Sequence, residues 1–270
     1  MRTSSNAAIR RLMNKGLGCV LTAAVLGGAS IAVAQEAAST PVTALAEATV
    51  ANGYVWRGQV YNDEAVLQPS FTMGKGAFTI NTWGNMNLTD SITEDSADLS
   101  ELDLAFGYSK TVGAVAIGAG LIEYSFPNTT FTGTREVYAT MAIPGLFVVP
   151  TLSVNYDFDE ADGAYANLAF SYSHSIAEKA TLAMFASLGM GTSDYNAFYF
   201  GVDDNALNDL NVGVSLAIPV TKSLTITPAV QYTSLPDSDI EDGAAGVDGE
   251  PGLYLDKDFV LASIKASYVF

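Results

Sequence analysis

With 270 residues, a formal charge of −17, and 49% hydrophobic against only 15% charged residues, this chain is too acidic for a nucleic-acid surface and too poor in charge for an ordinary soluble one. Its one cysteine, Cys19, excludes a disulfide framework and a cysteine-based metal site.

Residues 1–34 read as a secretory signal peptide. Arg2, Arg10, Arg11 and Lys15 form a basic start, Gly16 to Ile31 is an uncharged apolar run, and Ala32-Val33-Ala34 offers small residues for cleavage before Gln35. Cleavage removes four bases and no acid, which takes the charge from −17 to −21. Residues 35–46 form a small-residue leader. Residues 47–270 are expected to build an all-β fold, a transmembrane antiparallel β-barrel of twelve strands.

The expected strands are Glu47 to Gly58, Ala65 to Met73, Ala77 to Thr89, Ser100 to Ser109, Ala114 to Phe126 and Thr134 to Ala142. The second half continues with Pro150 to Phe158, Ala164 to Ser173, Ala180 to Met190, Ala206 to Ile218, Leu224 to Thr233 and Phe259 to Phe270. Most alternate with a period of two, as strands with one apolar face do. In the fourth, Leu102, Leu104, Phe106 and Tyr108 oppose Glu101, Asp103, Ala105 and Gly107. The phase slips in the fifth, which predicts a bulge near Gly120 or Leu121. Pro69, which lacks an amide donor, suggests a bulge or a rim position in the second.

The connections sort into two classes. Those after even-numbered strands are mostly short, such as Gly74-Lys75-Gly76, and His174 to Lys179 is read as one of these turns. The long acidic ones, Asp90 to Leu99, Gly191 to Asn205 and Ser234 to Asp258, all follow odd-numbered strands. Outer-membrane barrels segregate loops in this way, with short periplasmic turns and longer external loops, and an even count places both termini on the periplasmic side. Aromatics gather at strand ends. Tyr108, Tyr172, Tyr268 and Phe270 form one expected girdle, and Tyr54, Trp56, Tyr124, Phe126, Tyr156 and Phe158 form the other. The terminal Tyr268-Val269-Phe270 resembles the C-terminal signal that the barrel-insertion machinery recognises, which implies that role for Tyr268 and Phe270.

The run Asn52-Gly53-Tyr54-Val55-Trp56-Arg57-Gly58, followed by Gln68-Pro69 and Thr82-Trp83-Gly84-Asn85, resembles the opening of the TorF-like porin family of small bacterial outer-membrane barrels. The likeness implies a small barrel with a transport role and supplies no substrate.

Inward positions supply the candidate pore lining: Arg57, Asn81, Trp83, Asn85, Glu101, Asp103, Glu136, Asp157, Asp209, Gln231 and Lys265, with Asn87 beside them. Carboxylates outnumber bases there, so an open lumen would favour small neutral or cationic solutes. A channel for acidic sugars would need several inward arginines, which are lacking. An alternative is a structural or adhesion barrel whose lumen is filled by ion pairs. A third is an outer-membrane hydrolase. His174, the only histidine, has no evident catalytic partners, and a polar lumen accounts for Glu101 and Glu136 without chemistry. No enzyme, metal or cofactor is therefore expected. The acidic stretch from Asp237 lacks the glycine and glutamate spacing of an EF-hand loop. It reads as a solvated loop able to hold divalent cations non-specifically. The remaining expected partners are outer-membrane lipid and small solutes.

Overall fold

The computed structural model describes residues 41–90, 95–176, 179–245 and 253–270. The signal peptide and half of the leader lie outside the described residues. Alternation of side chains through a pleat makes each segment two-faced. Twelve such segments close into one antiparallel barrel. They are β1 (Thr43–Ala51), β4 (Val66–Lys75), β5 (Phe78–Asn87), β6 (Asp98–Val112), β7 (Val115–Ser125) and β8 (Thr134–Ala142), then β9 (Val149–Asp157), β10 (Ala164–Ile176), β11 (Ala180–Gly191), β12 (Ala206–Pro219), β13 (Leu224–Ser234) and β14 (Asp258–Val269). Two further strands, β2 (Tyr54–Trp56) and β3 (Gln59–Asn62), form a two-stranded sheet of their own. Closure comes from β14 pairing with β1, Leu45 against Val269 through Ala51 against Ser263, so that no wall strand keeps an open edge.

The outer surface carries exposed apolar side chains on strand after strand. Phe106 is 46% exposed, Val137 44% and Phe170 47%. In water these would be costly; against lipid they are at home. Aromatic pairs ring the rim that carries the chain end: Phe78 packs on Tyr108, Phe147 on Tyr172, and Tyr268 on Phe270. The long connections all emerge at the opposite rim, called here the loop rim.

Five expectations are corrected. The first strand does not run from Glu47 to Gly58: its wall segment starts at Thr43 and ends at Ala51, and Tyr54–Asn62 folds inward as the β2–β3 hairpin. Tyr54, Trp56 and Tyr124 consequently belong to a buried cluster inside the barrel, not to an outer girdle. The phase slip in β7 is no bulge, since its register against β6 and β8 is continuous. Ile122 and Tyr124 point inward because folded-in chain covers them, while Glu123 faces out and meets Arg135. Within the wall the register bulges fall instead at Asn85/Met86 and Leu188/Met190. Pro69 sits within β4 opposite Ala48 without shifting the register, and it and Gln68 simply skip a pairing with β5. His174 lies inside β10, paired with Leu182, rather than in a turn.

Two connections read as plain loops hold short helices. Helix α1 spans Ser193–Phe200 and ends at Gly201, whose φ of 70° stops it in a left-handed cap. Helix α2 spans Ser238–Ala245, and Asp237 opens it by accepting hydrogen bonds from the amides of Asp239 and Ile240. Both turn apolar residues inward: Tyr195, Tyr199 and Phe200 from α1, Ile240 and Ala244 from α2.

Candidate functional site

The barrel is occupied at its loop rim by the β2–β3 hairpin, and the sequence explains how it gets there. At Asn52 the backbone leaves the wall. The Asn52 side chain takes over the strand's pairing, donating from Nδ2 to the Val260 carbonyl at 3.0 Å and accepting from the Ala262 amide at 2.7 Å. Gly53 then passes so close to the Phe259 ring that a Cβ there would stand 2.7 Å from it. Tyr54, Val55 and Trp56 are all buried, which is why neither face of this stretch looks polar.

The hairpin turns on two residues with positive φ, Arg57 at 49° and Gly58 at 84°. That pair of angles suits the mirror-image turn that matches strand twist. Gly58 is the permissive residue, and a Cβ on it would meet Leu235 at 2.6 Å and Asp209 at 2.9 Å. Arg57 carries a side chain in a conformation that costs about 1 kcal/mol, and its contacts account for its being held there. Its two terminal nitrogens each donate to one oxygen of Glu136 at 2.7 Å. The guanidinium lies over the rings of Trp56 at 4.2 Å and Tyr165 at 4.5 Å, with Tyr195 at 5.8 Å. Side-chain exposure of the pair is 10% and 1%. Burial pulls the Arg57 pKa down, but Glu136 together with Tyr195 and Tyr124 raises the guanidinium above its ordinary range.

Glu136 is an acceptor saturated from all sides. Besides Arg57, its Oε2 receives the Tyr124 hydroxyl at 2.9 Å and the Asn155 amide at 2.9 Å. A buried carboxylate needs such company, because an unpaired one is strongly destabilising. Further hydrogen bonds order the hairpin and tie it to the last long connection and to β5. Gln59 accepts from Tyr61 at 2.7 Å and Tyr254 at 2.6 Å. Asn62 donates to Asn87 at 2.8 Å. Burial pushes the hydroxyls of Tyr195 and Tyr254 up from their usual value.

The expected lining residues fall into two levels. Around the hairpin, Asn85, Glu101, Glu136, Asp157, Asp209 and Gln231 are all buried. Asp157 receives the Thr134 hydroxyl at 2.8 Å, and Asp209 receives those of Tyr165 at 2.7 Å and Asn211's amide at 2.6 Å. Gln231 donates to Asn211 at 3.0 Å, and Asn85 donates to Ser100 at 2.8 Å. Trp83 is half-buried with its ring 5.5 Å from Tyr54. Asp103 is half-buried on β6, two residues beyond Glu101 on the same face. Further from the loop rim, Asn81 donates to Thr72 at 2.8 Å and Ser70 at 3.1 Å, and Lys265 meets Glu47 at 3.1 Å. Asn81 and Lys265 are only partly covered.

The structure therefore brings Arg57 and Glu136 together and leaves Lys265 far along the barrel with a partner, Glu47, that sequence reading assigned to no role. Tyr195, from α1, was also missed. Its signal was the aromatic run Tyr195 to Phe200 within a connection otherwise read as acidic. Among the described residues, no group of His, Cys, Asp or Glu is arranged to hold a metal.

The fold has solved counterparts. It is similar to the KdgM porin, solved alone and in complex with disordered oligogalacturonate; both have a TM-score of 0.50 at 10% identity, covering 85% of this chain and 99% of the porin. It is also similar to the COG4313 outer membrane channel from Pseudomonas putida F1, with a TM-score of 0.48 at 11% identity, covering 86% of this chain and 97% of that one. At such identities the likeness is one of fold. No curated protein matches the sequence. The model of a family described as bacterial protein of unknown function (Gcw_chp) matches residues 34–267, and the chain belongs to that family.

Proposed function

We propose that this protein is an outer-membrane channel for passive diffusion of small neutral or cationic solutes, gated at the loop rim by the β2–β3 hairpin. The observation that carries the reading is the contrast between the barrel's two faces away from the hairpin. Outside are exposed Leu, Val, Ile and Phe; inside, Asn81, Thr72, Ser70 and Lys265 keep partial exposure, as side chains lining water do. Arg57 offsets Glu136 and Lys265 offsets Glu47, whereas Asp157 and Asp209 take hydroxyl and amide partners. The inner face keeps an excess of negative charge, which concentrates cations.

The barrel's likeness in fold to the KdgM porin agrees with this reading. Passive diffusion involves no covalent step, so the protein is not an enzyme and requires no cofactor. Both termini face the periplasm, and Tyr268 and Phe270 serve recognition by the insertion machinery.

The second reading, a structural barrel with a closed lumen, is favoured by one specific observation: Arg57, Tyr54 and Trp56 fill the loop-rim end with buried contacts. Planar-bilayer recording separates the two. The mature protein is expected to open intermittently, and a variant with Gly53 to Asn62 replaced by a short Gly-Ser link is expected to conduct steadily. No current from either protein rejects the channel and leaves the closed barrel. Reversal potential in asymmetric KCl tests cation preference separately.

A further inference from the structure

We infer that the niche around Glu136 is a recognition site for guanidinium-bearing solutes, held in the resting protein by Arg57 as an internal competitor. The inference rests on the channel reading for its physiological sense, but its binding claim can be measured without any current.

The niche belongs to the parts that stay when the hairpin leaves. Glu136 is on β8, Tyr124 on β7, Asn155 on β9 and Tyr165 on β10, while Tyr195 is on α1. Tyr124 and Asn155 both donate to Oε2 and fix the carboxylate plane, so Glu136 presents both oxygens as a fork. The Tyr165 and Tyr195 rings offer π faces beside it, 4.5 and 5.8 Å from the guanidinium carbon. Paired carboxylate oxygens with aromatic faces alongside match a planar guanidinium, and match a compact ammonium or a metal ion less well.

The occupant, by contrast, is mounted on a removable part. The hairpin forms its own two-stranded sheet instead of extending the wall's ladder. Arg57 reaches the niche from a backbone with φ of 49°, a conformation disfavoured for a residue with a Cβ. A free guanidinium can make the same two hydrogen bonds and the same contacts with the Tyr165 and Tyr195 rings without that constraint. What favours Arg57 is tethering, which gives it an effective concentration on the order of millimolar or higher. A solute must reach a comparable level to displace it. Displacement unseats the tip of the hairpin and opens the path for the cation that caused it.

Calorimetric titration of the purified full mature chain in detergent with methylguanidinium chloride, against sodium chloride as the control, tests this. The wild type is expected to bind weakly. Arg57→Ala, which removes the competitor, should bind roughly tenfold or more tightly. Arg57→Lys, which keeps the charge but loses the fork, should fall between. Adding Glu136→Gln to Arg57→Ala should abolish binding. Heat-modifiable migration on gels establishes that each variant is a folded barrel, and Arg57→Lys serves if Arg57→Ala is not. Equal affinity in wild type and Arg57 variants, or binding that survives Glu136→Gln, overturns the inference. If binding follows the expected order while no protein conducts, the niche stands and the channel reading falls.

Discussion

Asn52 and Ala262 are joined by a reciprocal pair of hydrogen bonds, the Asn52 amide donating to the Ala262 carbonyl at 3.1 Å and the Ala262 amide donating to the Asn52 side-chain oxygen at 2.7 Å. A side chain here does the work of a backbone carbonyl. It lets β14 stay satisfied at the height where the main chain of its neighbour turns into the lumen. Only a short side chain with both a carbonyl and an amide can do this, since Nδ2 also reaches the Val260 carbonyl. Asn52→Ala should lower the unfolding free energy by about 1–2 kcal/mol through two lost hydrogen bonds. Urea unfolding in lipid vesicles measures it, with Asn52→Asp expected to lose less than Asn52→Ala.

Gly58 fixes how deeply the hairpin sits. Its positive φ and the contacts awaiting a Cβ make every larger residue a misfit. Gly58→Val should leave the wall intact and lift the turn away from Asp209. Single-channel recording is expected to show longer openings than the wild type, while heat-modifiable gel migration stays unchanged.

Glu47 and Lys265 stand across the closing seam between β1 and β14, and each side chain is only 13% exposed. Lys265→Gln should remove an inward positive charge and strengthen cation preference, read as a larger reversal potential in asymmetric KCl. Lys265→Glu places like charges across the seam and should cost on the order of 1 kcal/mol or more in stability. Exchanging the two residues should restore the stability.

Alkaline pH should release the hairpin. Burial raises the hydroxyl pKa of Tyr54, Tyr61, Tyr195, Tyr199 and Tyr254 above the ordinary value of 10.0. Below that value these tyrosines are protonated whether docked or free, so their contribution to docking is complete. Above it the free form gives up protons first, and docking weakens as pH rises. Tyrosinate absorbance in titration should show exposed tyrosines ionising first and these five only together with the change in Trp56 fluorescence. Ionisation of all tyrosines in one early step would contradict the docked arrangement.

The wall was readable because its requirement is simple. In β6, Leu102, Leu104, Phe106 and Tyr108 meet the outside and Glu101, Asp103 and Ala105 the inside, and a period of two records that directly. The folded-in parts obey another rule, and the alternation fails there for a reason. Tyr54, Val55 and Trp56 are buried on both sides, and Ile122 and Tyr124 face a lumen locally as apolar as a protein core. Inward therefore ceases to mean polar, and what resembled a slipped phase was a change of environment. The clues were present: Arg57-Gly58 has the composition of a tight reversal only with a non-glycine at positive φ, and Asp237 before Ser238 is a helix start hidden in an acidic run. The ion pairs Arg57–Glu136 and Glu47–Lys265 join residues distant in the chain, and no local pattern announces such partners.

The hairpin comes from the beginning of the barrel, yet several of its clamps come from the end. Phe259 covers Gly53, Leu235 covers Gly58, and Tyr254 reaches Gln59. A half-assembled wall lacking its final strands can offer Glu136 and Asn87 to the hairpin but none of these three covers. The full set of contacts that latches the hairpin is accordingly complete only once the chain's last segments have joined the cylinder.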